Sequence, residues 1–303
     1  MLQVWKGYFF LFGAACCFAT GGVAGESLFR LGVNPLIVAS WRILLACLAL
    51  FIMLLLTNPR LFIIKSKDLP FFILQGLVGI AAFQAFYFTT INLTSVATAV
   101  TLLYTGPSFI VIISYFIFKE PVTKVKATAL ILTLAGCVLV SAGGDFASLS
   151  LGWGEPGFWT GLATGFAYAV YAIFGKLFMG GYDARTILFY SFLFGAIPLM
   201  VLSPPWLTAE LMLAPASSMY LIYLALVPTI LAYGLFLKGL YHVEAGRAGI
   251  FSTFEPVVAA ILAYLLLDQL LSGVQFIGFF LVLLALVILL SPVKKKAAGG
   301  TAY

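Results

Sequence analysis

Charged side chains are scarce in this chain, and two of them interrupt apolar runs where a charge is costly. Glu255 stands beside Pro256 in FSTFEPVVAA, within a run that stays apolar to Leu267, and Arg42 follows Trp41 in SWRILLACLAL. In hydrocarbon either group costs about 2.5–3.5 kcal/mol on insertion scales, so each must find a partner, water or, for the acid, a proton. Three readings of Glu255 are open. It is a neutral carboxyl bonded to Ser252 one turn earlier, a charged one paired with Arg42, or a group that takes up and releases a proton and so couples to or contacts a solute. Arg42 lies about seven residues into its run, roughly 10 Å below the boundary. It could snorkel outward, pair structurally, or contact the solute directly.

Softer polar groups accompany them. Thr94, Thr98, Thr101, Thr105 and Ser108 recur at intervals of four and three, which places them on one face of an otherwise apolar helix. Such a stripe either bonds back to its own carbonyls or lines a cavity; its full helical length favours the cavity. Tyr104 adjoins it, and Gln84 with Tyr87 adds a polar pair in the preceding run. Tyr168, Tyr171, Tyr190, Tyr223 and Tyr233 fall inside apolar runs of the second half, where some could stack on an amphipathic or cationic metabolite. Together these groups could orient a polar solute and exchange a proton. They are not equipped to make or break bonds: the only histidine, His242, sits in the short loop YHVEAGR, and HExxH, P-loop and paired cysteine motifs are missing. Cys16, Cys17, Cys47 and Cys137 lack metal-ligand spacing and read as small packing residues. No enzyme, metal or cofactor is expected.

The elements that must position these residues are membrane spans. A soluble domain holds roughly 25% charged residues; this chain of 303 residues holds 9%, with 63% hydrophobic residues and a mean hydropathy of +1.15. Ten runs reach the about 20 residues that cross a bilayer: 7–26, 35–56, 70–90, 94–118, 126–142, 157–178, 185–203, 217–238, 246–267 and 273–291 (helices 1 to 10). Short loops leave no soluble domain, so function must sit among the helices. The first run lacks a small-x-small cleavage site and reads as a retained span. The net charge of +6 is a topology signal, not a nucleic-acid footprint. With the N-terminus inside, fourteen of the sixteen basic residues fall on the cytoplasmic side, the exceptions being Arg30 and Arg42. Both termini are then cytoplasmic, and the basic tail 292–303 attracts lipid headgroups.

The chain also matches itself at an offset of 149 residues: Pro107 falls on Pro256, Ala99 on Ala248, Tyr115 on Tyr264 and Thr123 on Ser272. Small residues recur every fourth position at the start of each half (Gly13, Cys17, Gly21, Gly25; Gly157, Gly161, Gly165, Ala169) and read as close helix packing. Two five-helix repeats, 7–142 and 157–291, are therefore expected. Five is odd, so the second must lie inverted relative to the first, an architecture that places binding near the midplane where the halves meet. The prolines are the shared part, two bends that free carbonyls at Leu103 and Ser252. The acid is not shared: Gly106 stands where the second half has Glu255.

This plan resembles the drug/metabolite transporter superfamily, in particular its EamA-type members, over nearly the whole chain. FATGGVAGESLF in helix 1, SWRILLACLAL in helix 2, YTGPSFIVIISYFIFKEPVT closing helix 4 and FSTFEPVVAAILAYLLLDQLL closing helix 9 carry the likeness. The family's usual Gly-Glu after these two hairpin helices reads Lys119-Glu120 in the first half and Asp268-Gln269 in the second. The resemblance implies an all-α polytopic protein of a bacterial cytoplasmic membrane, moving a small organic solute such as an amino acid, amine or drug-like molecule. Export is commoner than import in that family. Expected partners are the solute and membrane lipid, with no nucleic acid; a homodimer is compatible with the chain. The rival from another class is a membrane sensor or scaffold that binds a ligand and moves nothing.

Overall fold

The computed structural model describes residues 2–29, 32–149, 151–267 and 270–290; Arg30, Asp268, Gln269 and the tail 292–303 lie outside the described residues. Ten helices among them are long and apolar enough to cross a membrane: Gln3–Glu26, Pro35–Thr57, Ser66–Leu93, Val96–Ile117, Lys124–Ala142, Pro156–Phe178, Ala184–Leu202, Ser217–His242, Ala245–Leu266 and Gly273–Leu290. Large apolar side chains such as Phe9, Leu56 and Val201 stand on the outside; lipid replaces core there, while backbone polar groups are satisfied within the helices. Starts are set by local caps. Asn34 accepts the Leu36 N–H (2.8 Å) ahead of Pro35, and Thr123 accepts that of Lys126 (3.2 Å). His242 is the last residue of helix 8, not a loop residue, and its ring stacks on Phe10.

Two irregularities recur at the 149-residue offset. Helix 3 widens to a π-helical stretch at Leu77–Ala82 and helix 8 does so at Leu226–Leu231. In helix 8 the Thr229 hydroxyl donates to the Leu224 carbonyl five residues back (2.7 Å), following the wider turn. Helices 4 and 9 each come in two pieces, Val96–Leu103 with Gly106–Ile117 and Ala245–Ser252 with Glu255–Leu267. The sequence predicts bends at Pro107 and Pro256; the structure has breaks. Proline lacks an N–H, so it sits best in a first helical turn, where that donor would be unused, and a new helix starts at each one.

The halves interlock. Helix 1 packs on helices 8 and 9 and helix 6 on helices 3 and 4, while helix 2 pairs with helix 7 and helix 5 with helix 10. Glycines permit the closest approaches: a Cβ at Gly161 would overlap Leu102, and one at Gly157 would overlap Thr94. The small-residue stripe of helix 6 therefore lies on the hydroxyl-bearing face of helix 4. This corrects the cavity reading for much of that face. Thr94, just ahead of helix 4, donates to the Thr90 carbonyl (2.7 Å), Thr98 bonds with Ser95 (3.0 Å), and Thr105 donates to the Leu102 carbonyl (2.6 Å). The Thr101 hydroxyl is buried without a partner.

Candidate functional site

Glu255 opens the second piece of helix 9, so its carboxyl lies at a helix N-terminus inside the bundle. That position offsets up to ~2 kcal/mol of a carboxylate's cost, against the ~2.5–3.5 kcal/mol of a charge in hydrocarbon. The remainder needs an opposite charge or water, and the surroundings offer both. Glu255 lies within electrostatic range of Arg42, Tyr87, Tyr104, Cys137, Tyr168 and Tyr233. Arg42, Tyr87, Tyr168, Tyr233 and Glu255 are all partly accessible, so none of them is fully sealed in the core.

Neither structural reading of Glu255 is realised in this arrangement. Ser252 spends its hydroxyl on the Gly249 carbonyl (2.7 Å) and on Tyr168 Oη (2.7 Å). Among the described residues Arg42 and Glu255 form no ion pair within 4.0 Å. Arg42 Nε is buried and unpartnered, as is Gln84 Nε2, which places Arg42 inward and not snorkelling. A cation and an anion thus lie within electrostatic range of each other without a direct ion pair, with polar donors left over beside several tyrosines.

Tyr87 stacks on Phe83 (6.3 Å between centroids) in helix 3, and Tyr104 is buried in the break of helix 4. Tyr233 packs edge-on against Phe18, Tyr171 and Phe192. The selected residues therefore come together from helices 2, 3, 4, 6, 8 and 9. The Tyr171 hydroxyl, among the second-half tyrosines, is buried and unpartnered. Cys137 joins the surroundings of Glu255 although its spacing gave no sign of it. Two surface grooves lie elsewhere, around Lys65, Asp68 and Tyr182, where Tyr182 Oη donates to Asp68 (2.6 Å). The central cluster is the better candidate because it gathers an acid, a base and unpartnered polar groups.

A second cluster lies at the lysine-rich end of the bundle, where basic residues that carry the topology signal meet buried Glu120. Glu120 is 7% exposed and accepts the N–H groups of Ala245 (2.7 Å) and Gly246 (3.1 Å), the first residues of helix 9. Lys126, 1% exposed, reaches Glu120 (3.5 Å) and Glu244 (2.8 Å). Lys176 approaches Glu120 (4.0 Å) and donates to the carbonyls of Leu240 and Val243. Arg247 pairs with Glu244 (3.3 Å) and donates to Tyr8 Oη and the Leu289 carbonyl. The available signal was Glu120 itself, the acid that matches the family's Gly-Glu.

Ten helices long and apolar enough to span a membrane, gathered around an acid, a base and several tyrosines, define the class, a multi-pass membrane protein with the build of a transporter. The chain belongs to the EamA-like transporter family, whose profile matches residues 5–142 and 155–291. It is 26% identical over 302 residues to an uncharacterized inner membrane transporter, YicL, of Salmonella typhimurium, covering 97% of this chain and 98% of that one. It is 28% identical over 255 residues to a probable amino-acid metabolite efflux pump of Escherichia coli, covering 78% and 82% of the two chains. A solved crystal structure at 18% identity superposes with a TM-score of 0.78 over 93% of this chain and 95% of its own, which shows the shared fold. The protein is thus a multi-pass transporter of the cell membrane.

Proposed function

We propose that this transporter moves a small organic metabolite carrying both an anionic and a cationic group, of the amino-acid type, by alternating access through the opening between its halves. The observation that carries the reading is the separation of Arg42 from Glu255. Two unlike charges within electrostatic range but without a direct ion pair match the two ends of a zwitterion, and the tyrosines supply faces for its side chain. The Escherichia coli relative named as a probable amino-acid metabolite efflux pump supports the same solute class and export. The halves lie inverted with both termini cytoplasmic, as the odd helix count and the basic residues argue, and the membrane is a bacterial cytoplasmic one. Glu255 couples transport to protons by binding one in one facing state and releasing it in the other.

Purified protein in liposomes loaded with a mixture of amino acids and amines provides the test, with the medium read by mass spectrometry. Release of at least one solute above empty liposomes, faster with an imposed pH gradient, is expected. Glu255→Gln is expected to lose the gradient dependence. Gradient-driven flux that persists in that variant would remove Glu255 from the coupling role.

A further inference from the structure

The two ends of the bundle are not in the same condition. At the lysine-rich end the first piece of helix 9 packs tightly on the second piece of helix 4; a Cβ at Gly249 would come within 2.8 Å of Ile110. At the other end the counterpart pieces, Val96–Leu103 and Glu255–Leu267, have no comparable packing among the described residues. The closed end is also the charged one. Glu120 holds both leading amides of helix 9, Lys126 bridges Glu120 to Glu244, and the cluster ties in helices 1, 6, 8 and 10.

Moving 149 residues along the chain turns this cluster neutral. Gln269 stands for Glu120, Gln275 for Lys126 and Ser95 for Glu244. Gln275 makes uncharged bonds, accepting the Ser272 N–H (2.9 Å) and donating to the Val140 carbonyl (3.3 Å). Charge-assisted bonds to buried groups are about twice as strong as neutral ones, so the two ends differ in how firmly they close.

The geometry points to Glu120 as the gating residue of the lysine-rich end: its carboxylate, with Lys126 and Glu244, latches the start of helix 9 to the end of helix 4. The bundle then rests closed there and open at the other end. Opening the lysine-rich end requires Glu120 to release the Ala245 and Gly246 amides, so the strength of this latch sets how the two facing states are populated. Glu120 contacts no solute and acts by positioning helix 9, whose second piece begins with Glu255. This inference rests on the alternating-access reading above, yet its test needs no solute.

Symmetry-related reporters give the test. Ser114→Cys places a thiol beside Gly246 at the latched end, since a Cβ on Gly246 would lie 3.5 Å from Ser114 Oγ. Ala263→Cys places one at the counterpart position 149 residues on, where the chain is partly accessible. Protein in lipid nanodiscs is treated with a membrane-impermeant maleimide, and the rate at each position is read by peptide mass spectrometry. With Glu120 intact, position 263 labels faster than position 114. Glu120→Gln is expected to speed labelling at 114 by about tenfold or more while slowing it at 263, with Lys126→Met acting in the same direction. Glu120→Asp, which keeps the charge, is expected to leave the native order of rates. An unchanged rate at 114 in Glu120→Gln would overturn the proposal. So would acceleration at both positions, because that is general loosening and not a shift between states. Reciprocal labelling together with silent liposomes would instead sink the solute assignment and leave the latch standing.

Discussion

Three residues bear charges or backbone angles that packing alone would not choose. Arg42 is half-buried with its Nε unpartnered, and a buried polar group left unpaired costs about 1–3 kcal/mol. Arg42→Met is therefore expected to keep or raise thermal stability, by roughly 1 kcal/mol, while weakening solute binding more than tenfold. A melting temperature lowered by several degrees would make Arg42 structural. Glu255 belongs with it as the acid present in one half only. Lys119 is the third: its φ of 57° is left-handed, the region in which glycine is at ease, and the Glu120 N–H returns to the Ser114 carbonyl (3.3 Å). This gives a backbone reason for the glycine usual in the family before the acid. Holding a lysine there costs ~1–2 kcal/mol, against ~0.5–1 kcal/mol of extra chain entropy that a glycine loses on folding. Lys119→Gly should then stabilise by about 0.5–1 kcal/mol, read as a raised melting temperature in detergent; a lower one would show that the lysine side chain contributes more than its backbone costs.

At the scale of elements the breaks in helices 4 and 9 matter most, because they turn mid-span residues into helix ends. Pro256→Ala lets an unbroken helix form through Thr253 and Phe254, which takes Glu255 away from an N-terminus. Transport should fall more than tenfold with little loss of fold. Pro107→Ala should cost less, since Gly106 still weakens the helix and no acid depends on that end. Equal transport by Pro256→Ala and the native chain, measured in the same liposomes, would mean that the break is not needed. These breaks also show what was legible in the sequence. Hydropathy gave ten spans because about 20 apolar residues leave no other solution, and the offset of 149 predicted where the proline elements recur. Whether proline bends or breaks a helix depends on neighbouring packing, which the residues of one span do not encode. The hydroxyl stripe had the same fault: its spacing is true, but spacing could not say that Gly157 and Gly161 of helix 6 lie against it. Lys126 and Lys176 looked like topology signals because a charge near a span end reads alike whether it faces headgroups or, as here, buried Glu120.

For the whole molecule, the reciprocal pairing of helix 1 with helices 8 and 9 and of helix 6 with helices 3 and 4 leaves neither half a core of its own. In the alternating access proposed above, motion redistributes contacts along this shared interface, closing one end as the other opens, with Glu255 and Arg42 handling the proton and the solute in between. The most direct measurement of this account is the internal pH of proteoliposomes that contain a pH-sensitive dye and a transported solute, diluted into solute-free medium of equal pH. Solute leaving by exchange for protons should acidify the interior of vesicles with the native chain, and vesicles carrying Glu255→Gln, which loses both the proton site and one of the two solute-binding charges, should release solute more slowly and without acidification. Acidification of equal size in the variant, or solute release without any acidification by the native chain, would contradict it.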